Sequence, residues 1–365
     1  MNATTASESA QLASTLRRML QDRATLAKSR AFIESPDEYD RELWADLVEM
    51  GLTGLAIPEE FGGAGYGYQE LCVVQEELGG VLAAVPYLSS ICLGAPMLLA
   101  LGTEEQKATW LPRVAAGEKV VAVGTEGLPG SSVRPLLVSV TKGQAFVNGR
   151  LEYVMDANTS DGLVVRATSG DSTAATYLIP TAQDGVDIEP IPALDGTRKL
   201  ANVTLTDATG EFLAEGEDPM RLSLLRGLVC LAAEMLGGLE ACLAMATEYA
   251  KVRHQFGRPI GSFQAIKHKC ADMLVAAQSA RSLVEYAAWA ADASPSDLEV
   301  AASAAKAFCG DAYFRGAGEN IQIHGGIGFT WEHDAHLFFK RARASQVLLG
   351  DSRFHRSVIA GHAGL

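Results

Sequence analysis

The segment QIHGGIGF, residues Gln322–Phe329, places three glycines close to Gln322 and His324. Because glycine has no side chain, the backbone of such a segment can closely approach a flat or charged group. An amphipathic helical pattern follows, and the stretch closes at Leu349, Gly350 and Asp351. A functional side chain is expected at that far end, so the residues found there decide what chemistry the chain can perform.

Composition limits the classes of function that the chain can have. A chain of 365 residues, of which 48% are hydrophobic and 20% charged, can bury a large core in two or three domains. Its formal net charge of −14 and its pI of about 5.0 argue against nucleic-acid binding, which depends on lysine and arginine neutralising phosphates. A phosphate-bearing cofactor held by a few local donors stays compatible with this charge.

Cysteine usage and hydropathy favour a cytoplasmic protein. The six cysteines are scattered without a Cys-x-x-Cys pair, which is typical of reduced, buried thiols. The N-terminal residues lack the charged region and apolar run of a signal peptide. The most apolar run, residues 81–101, is interrupted by Pro86 and Pro96, so we interpret it as buried helices rather than a membrane span.

Periodicity divides the chain into three regions. Residues 1–118 form a predicted N-terminal helical domain, interrupted by the glycine-rich loop at residues 57–67. Within it we predict one helix over residues 8–32, a second that stops at Gly51, and a third that opens with a capping box from Thr103 to Gln106. Residues 119–215 form a predicted middle β domain of short strands, with turns at Lys142-Gly143 and Asn148-Gly149. Residues 216–365 return to a helical pattern. The predicted fold is therefore mainly α with a central β domain.

The third region predicts a four-helix bundle. The helical runs cover residues 219–251, 262–292, 295–319 and 331–348. Ser294-Pro295 is typical of a helix start, with proline at the first helical position.

The sequence gives little support for metal or hydrolytic chemistry. A di-iron site in a bundle needs Glu-x-x-His, and no histidine of this chain has glutamate three residues before it. The cluster of Glu332, His333, Asp334 and His336 is either a ligand set or a solvated helix start, and acids near a helix N-terminus favour the second interpretation. A Gly-x-Ser-x-Gly motif and a P-loop are absent from the sequence. We therefore predict no metal.

The segment from Arg253 to Gly257 allows two interpretations. A guanidinium beside a glycine turn suits a diphosphate or a carboxylate. The same residues also suit a helix C-terminus, where Arg253 faces the negative end of the helix dipole and Gly257 follows it. The pattern by itself favours the helix end.

Four segments together resemble a known family, the acyl-CoA dehydrogenases. They are LWADLVEMGLTGLAIPEEFGGAG (43–65), GTEEQKATWLPRVAAGE (102–118), RHQFGRPIGSFQAIKHKCADM (253–273) and QIHGGIGF (322–329), and the last two are highly specific. The resemblance covers nearly the whole chain. It implies a flavoprotein with a helical domain, a β domain and a four-helix bundle, as the periodicity also predicts.

The resemblance assigns cofactor roles to six residues. Family members similar to this chain are tetramers in which one subunit holds the adenosine and diphosphate part of a neighbour's FAD. By resemblance the residues in that role here are Arg253, Gln255, Phe256, Gln322, Gly325 and Gly326. The chemistry agrees, because arginine supplies charge and a planar donor fork, glutamine supplies amide hydrogen bonds, and glycines allow close approach.

Two segments that serve a subunit's own flavin depart from the family pattern. Many members have Thr-Glu-Pro-Gly-Ala-Gly-Ser-Asp where this chain has residues 125–132, TEGLPGSS. Many have Trp-Ile-Thr or Trp-Ile-Ser beside the isoalloxazine, where this chain has Tyr153-Val154-Met155. The second change removes a hydroxyl that would bind the flavin.

The proton-abstracting base of the family is also missing. The family reaction removes the α-proton of an acyl thioester with a desolvated glutamate while a hydride leaves the β-carbon for the flavin. The usual position of that glutamate corresponds to Leu349, and the position used by a smaller group corresponds to Gly227. Asp351 lies two residues beyond Leu349, which on a helix would direct it about 200° away. No catalytic residue is therefore assigned in this chain.

The chain keeps the motifs that hold a neighbour's FAD and lacks those that serve its own flavin and substrate. This asymmetry predicts that it is one subunit of a larger enzyme. The chain resembles the base-lacking subunit of bacterial α2β2 acyl-CoA dehydrogenases that act on steroid side chains. This resemblance implies FAD as cofactor, an acyl-CoA substrate, a homologous catalytic partner and an electron-transfer acceptor. Three alternatives stay open: a homotetrameric dehydrogenase with Asp351 as a relocated base, a flavin monooxygenase of the same fold, and a structural subunit without a cofactor role.

Overall fold

The computed structural model describes residues 3–124, 135–170, 172–216 and 218–365. They form two compact units, each built from separated parts of the chain. The helical unit comprises Met1–Ala31, Tyr68–Ala83 and Leu228–Leu365, and the barrel unit comprises Phe32–Gly67 and Ala84–Gly227. The division at residues 118 and 215 follows the sequence pattern and stays a prediction, because helices of the N-terminal region are distributed between both units.

The elements follow the predicted order along the chain, with a helical region, then a region of strands, then a second helical region. The helices are α1 (Ala3–Arg23), α2 (Leu26–Glu34), α3 (Arg41–Glu49), α4 (Tyr68–Gly80), α5 (Ala95–Leu101), α6 (Glu104–Ala115), α7 (Asp218–Val252), α8 (Gln264–Ala293), α9 (Pro295–His324), α10 (Ala335–Val347) and α11 (Ser352–His362). The strands are β1 (Val121–Val123), β2 (Leu136–Thr141), β3 (Gln144–Met155), β4 (Gly162–Thr168), β5 (Ala174–Pro180), β6 (Val186–Ile191), β7 (Leu200–Glu215), β8 (His254–Gln255) and β9 (Arg258–Pro259).

The seven strands of the barrel unit close on themselves. They run in the order β1-β4-β2-β3-β7-β5, β6 pairs with β7, and β5 pairs with β4 as well as with β7. Closure leaves the inward side chains in one apolar core that includes Val147, Leu163 and Val203, each fully buried. The predicted β domain is confirmed.

One predicted turn in this barrel is wrong. Asn148-Gly149 does not separate two strands but lies inside β3, where the pairing with β7 shifts register between Val147 and Gly149. Gly149 has a φ of +137°, and a β-carbon there would lie 2.7 Å from Cδ2 of Leu136 on β2. The glycine therefore marks a bulge with close strand contact. The Lys142-Gly143 turn is confirmed, and both residues have positive φ.

The predicted helix boundaries of the N-terminal region are largely confirmed. Thr103 and Gln106 form a reciprocal capping box at the start of α6. Gly51 follows α3 with a φ of +72°. The single helix predicted over residues 8–32 is instead α1 and α2, since the helix ends at Arg23 and restarts at Leu26.

Two corrections concern the C-terminal helices. The third bundle helix, α9, continues to His324 rather than ending near Glu319, so the glycine segment caps a longer helix than predicted. Helix α11 was not predicted. Asp351 caps its N-terminus, and His355 is buried although polar, so burial of this helix does not follow a simple apolar stripe.

Helices α4 and α7 cross at glycines in the helical unit. A β-carbon at Gly79 would lie 2.1 Å from the carbonyl oxygen of Glu234, and one at Gly237 would lie 1.8 Å from that of Glu76. Backbone contact this close leaves no room for any side chain. The crossing holds the C-terminal part of α7 in the centre of the unit.

The long apolar segments are buried helices. Residues Tyr87–Gly94 form a π-helix whose members are all buried, and α5 continues from it, which confirms the interpretation of the 81–101 run. Residues Met220–Val252 of α7 are long and apolar enough to cross a membrane, but 72% of the most apolar window is buried. A core helix of a folded protein meets the same criteria.

Candidate functional site

A tight hairpin follows α7 at one end of the helical unit. Strand β8 pairs with β9, and Phe256 and Gly257 form the two-residue turn between them, with φ of +53° and +78°. Two consecutive residues with positive φ are typical of a hairpin turn. Phe256 is 90% exposed, so the hairpin presents an apolar ring at its tip.

Arg253 lies at the base of this hairpin with its side chain exposed. Its backbone N–H donates to the carbonyl of Tyr249 at 2.9 Å, which closes the last turn of α7. Among the described residues no carboxylate pairs with the Arg253 guanidinium, whereas Arg258 stacks on the ring of Phe263 at 4.2 Å. The backbone therefore confirms the helix-end interpretation, and the exposed guanidinium stays compatible with binding of an anion.

The second predicted segment ends α9 and turns away from it. Gln322 is exposed, and Gly325 leaves the helix with a φ of +67°. A β-carbon at Gly325 or Gly326 would have no atom within 4 Å. The space beside this backbone is open, so a flat or charged group can approach it closely.

Aromatic contacts bring the two segments to the same end of the unit. The ring of Tyr249 stacks on that of His324 at a centroid distance of 4.2 Å. Arg253 follows Tyr249 by one helical turn, and Gly325 follows His324 directly. The donor set is one cation, amide side chains and open backbone, which fits a diphosphate. The predicted residues thus lie at one end of the unit, while the contact between Tyr249 and His324 that joins the two segments was not predicted.

A groove extends from Gln322 along α9. It has a volume of about 700 Å³, and its lining includes Phe314, Phe339, Arg315 and Gln322. The centroids of the two phenylalanine rings are 4.9 Å apart. Aromatic surface next to arginine and an amide suits a flat ring with polar edges.

The far end of the stretch, at Leu349 and Gly350, is a fixed loop. Both residues have positive φ, at +56° and +99°. The buried Nζ of Lys306 donates to the carbonyls of Gln346 at 3.1 Å and Gly350 at 2.8 Å. Nε2 of His355 lies 3.0 Å from the carbonyl of Leu349. These contacts hold Leu349 in a conformation that a leucine seldom adopts.

Burial sets the charge state of the two residues under this loop. Desolvation lowers the pKa of Lys306 to about 8, and it lowers that of His355 to about 4, with a further contribution from the Lys306 charge. Neutral His355 can thus donate from Nε2 to Leu349. The sequence signal for Lys306 was available, as a lone charge in the alanine-rich run AASAAKAF, but no motif contains it.

Asp351 has a structural role at the start of α11. Its Oδ1 accepts a hydrogen bond from the backbone N–H of Phe354 at 2.8 Å, and the side chain is exposed. A helix cap exposed to solvent lacks the desolvated environment that a general base of this reaction needs. The loop from Leu349 to Asp351 therefore holds no carboxylate placed as a base.

Replacing Asp351 with asparagine tests that role. Asparagine caps a helix as well as aspartate does, so Asp351→Asn is expected to leave the thermal midpoint and substrate-dependent flavin bleaching unchanged, whereas Asp351→Ala is expected to cost about 0.5–2 kcal/mol of stability. Calorimetry and flavin absorbance measure the two effects. Loss of bleaching in Asp351→Asn with retained FAD would establish Asp351 as the base instead.

Gly227 corresponds to the position where a smaller group of the family has its base, and packing leaves no room for a side chain there. Gly227 lies in α7, and a β-carbon there would lie 2.1 Å from Cδ2 of Leu93. Leu93 belongs to the buried π-helix and is itself fully buried. The barrel unit therefore has no space for a glutamate at Gly227.

The segment of β3 that the resemblance places beside an isoalloxazine carries no hydroxyl equivalent to the family's threonine or serine. Tyr153 is 65% exposed with a φ of +58°, at a second register shift of β3 against β7. Met155 is buried in the barrel unit and supplies no hydroxyl. The other predicted departure, residues 125–132, lies outside the described residues.

The polar cluster after Phe329 stabilises local structure. Asp334 pairs with Arg30, and Nδ1 of His333 accepts from the N–H of Ala335 at 3.1 Å. Within the described ranges no group of three histidine, cysteine, aspartate or glutamate residues is arranged to hold a metal ion. The contacts agree with the helix-start interpretation of this cluster.

Comparison with known proteins identifies relatives along nearly the whole chain. Residues 6–118 match the acyl-CoA dehydrogenase N-terminal domain, and residues 218–364 match the acyl-CoA dehydrogenase C-terminal domain. The chain is 34% identical over 343 residues to the acyl-CoA dehydrogenase IpdE2 of Mycobacterium tuberculosis, covering 94% of this chain and 93% of that one.

Solved structures of two complexes share the fold. The ChsE4-ChsE5 complex of Mycobacterium tuberculosis includes a chain with 27% identity and a TM-score of 0.91, covering 98% of this chain and 97% of its own length. A variant of the Tcur3481-Tcur3483 steroid ACAD matches with 28% identity, a TM-score of 0.90 and 99% coverage of both chains. The matched domains agree with the order of helices, barrel and helices in this chain. The chain belongs to the acyl-CoA dehydrogenase family, whose members are oxidoreductases with FAD as cofactor.

Proposed function

We propose that this chain is the base-lacking subunit of an FAD-dependent acyl-CoA dehydrogenase and forms the enzyme with a homologous catalytic chain. One observation carries the proposal. Arg253 and the Gly325–Gly326 backbone lie exposed at one end of the helical unit, while Leu349 and Gly227 occupy the two family positions for the base. The chain retains a cofactor-holding surface and has no carboxylate at either position.

The chemistry divides between the two chains. The bound flavin supplies the hydride acceptor for α,β-dehydrogenation of the acyl thioester. Arg253 of this chain neutralises charge on the diphosphate, and Gln322 and Gln255 orient it through their amides. Phe256 covers the adenosine side with apolar surface. The partner provides the carboxylate that removes the α-proton and the contacts to the isoalloxazine.

The relatives support this assignment of partner and substrate. Both solved complexes named above contain two different chains, and one is described as a steroid ACAD. We therefore propose an α2β2 assembly that acts on an acyl-CoA with a bulky polycyclic acyl group and passes electrons to a separate acceptor. The filled space at Gly227 is consistent with a substrate bound by the partner chain.

An arginine substitution tests the proposal in the assembled enzyme. Arg253→Ala, co-expressed with the catalytic partner, is expected to weaken FAD binding by about tenfold to a hundredfold, because a charge-assisted contact to the diphosphate contributes about 1.5–3 kcal/mol. Fluorescence titration of the FAD-stripped complex measures the dissociation constant.

The matched control is Arg18→Ala, which removes an exposed arginine of α1 from the same unit. It is expected to leave the dissociation constant unchanged. Equal FAD affinity in the Arg253→Ala complex and the wild-type complex would instead favour a structural subunit without a cofactor role.

A further inference from the structure

Three aromatic rings lie in contact next to the cofactor-holding surface, one pair stacked and the other tilted, and they are called the stack below. The Tyr249 and His324 rings are 4.2 Å apart with an interplanar angle of 28°, and the His324 and His333 rings are 4.3 Å apart at 48°. Tyr249 comes from α7, His324 from the last turn of α9, and His333 from the segment before α10. The stack thus joins three parts of the chain that are distant in sequence.

Two of the rings, Tyr249 and His324, adjoin a residue that holds the cofactor in the proposed function. The carbonyl of Tyr249 accepts the N–H of Arg253 at 2.9 Å, so the ring and the base of the hairpin share one helical turn. His324 directly precedes Gly325, and Nδ1 of its buried ring lies 2.8 Å from the carbonyl of Asn320. The ring of His324 is therefore fixed to α9 at the point where the glycine turn begins.

The hairpin needs support from outside itself. Strands β8 and β9 contain two residues each, and a two-stranded hairpin of this size is marginally stable in water. The Gly325–Gly326 turn carries no side chains that could pack. Ring stacking between Tyr249 and His324 is a direct lateral contact between the two segments.

We propose that Tyr249, His324 and His333 are positioning residues, whose stack fixes the Arg253 hairpin relative to the Gly325–Gly326 turn so that both segments contact one diphosphate-bearing cofactor. This inference rests on the proposed function. None of the three rings needs to touch the cofactor. Their role is to set the spacing of the groups that do.

The charges around the stack give it a dependence on pH. Burial lowers the pKa of His324 and of His333, and the nearby His324 lowers that of His333 further. Arg30 also opposes protonation of His333, whereas Asp334 favours it. Because both pKa values lie below the ordinary range, both rings are neutral near pH 7, and protonation of both on acidification would place two positive charges on rings whose centroids are 4.3 Å apart, which would loosen the contact.

His336 and Lys340 lie on the same side of α10 and contact Trp331. Burial lowers the pKa of His336, and the Lys340 charge lowers it further.

Substitution of Tyr249 separates the ring from the hydroxyl. In the co-expressed complex, Tyr249→Leu is expected to raise the FAD dissociation constant by about tenfold, while Tyr249→Phe, which keeps the ring, is expected to stay within about twofold of wild type. Hydrogen exchange of the FAD-stripped complex should be faster in residues 253–259 and 325–329 of Tyr249→Leu only. Wild-type FAD affinity and exchange in a folded Tyr249→Leu complex would overturn the proposal.

The pH profile is a second, independent measurement. His324→Phe keeps a stacking ring but cannot be protonated and loses the contact to the Asn320 carbonyl, so the measurement is the ratio of FAD retained at acidic pH to FAD retained at pH 7.5, which should be higher in His324→Phe than in wild type. Identical FAD-release profiles for wild type and His324→Phe would contradict the role of the stack. If Arg253→Ala loses FAD while Tyr249→Leu and His324→Phe behave as wild type, this inference fails and the proposed function stands.

Discussion

Replacing Arg341 with methionine is expected to lower the free energy of unfolding by about 3–5 kcal/mol. Nη1 of Arg341 donates to Oε1 of Glu234 at 3.2 Å, and the two side chains are only 4% and 6% exposed. Ser345 also donates to the same carboxylate oxygen, at 3.4 Å. Methionine fills similar volume but leaves Glu234 as a buried carboxylate without its cation, which is costly in a dry interior.

The stability lost in Arg341→Met should result from the burial of the ion pair and not from the loss of an arginine as such. Arg343→Met, two residues later in α10, removes an exposed guanidinium that donates to Gln346 at 2.7 Å, and it is expected to cost less than about 1 kcal/mol. Urea unfolding of both variants measures the difference. Similar losses in the two variants would show that the Glu234–Arg341 pair does not anchor α10 to α7.

Placing a glutamate at Gly227 is expected to destabilise the chain by at least about 3 kcal/mol. Gly227 is the position where some relatives have their base, yet a β-carbon there would lie 2.1 Å from Cδ2 of the fully buried Leu93. Both α7 and the π-helix that carries Leu93 would have to move, and the new carboxylate would be buried without a cation. A lowered thermal midpoint or insoluble expression is the expected observation.

The matched variant is Leu349→Glu, which places a carboxylate at the other family position. Leu349 lies in a half-buried loop and not in a packed helix, so this change is expected to cost less than about 1 kcal/mol. The pair of variants separates the effect of packing from that of the carboxylate. If Gly227→Glu is as stable as Leu349→Glu, the space at Gly227 is not closed and a base could be accommodated there.

Much of the site could be predicted from local sequence because its chemistry is local. Arg253, Phe256 and Gly257 lie at one hairpin, and Gln322, Gly325 and Gly326 lie at one helix end, so short motifs contain the residues of the candidate site. The helix boundaries at Thr103 and Gly51 were predictable for the same reason, since capping involves residues three or four positions apart.

The residues that the sequence did not reveal act over long separations. Lys306 supports a loop that begins 40 residues later, and Tyr249 stacks on a histidine in another helix. The closure of Gly227 depends on Leu93, which no spacing rule links to it. The bulge at Gly149 was interpreted as a turn because glycine serves both structures, and only the pairing with β7 distinguishes them.

In the proposed function, this chain helps to bind the FAD while another chain supplies the catalytic base. The most direct measurement is the molar ratio of FAD to protein in this chain purified alone and in its co-purified complex with the homologous partner. The account predicts little bound FAD and no acyl-CoA dehydrogenation by the chain alone, and one FAD per pair of unlike chains in an active complex. Stoichiometric FAD together with dehydrogenase activity in the isolated chain would contradict it.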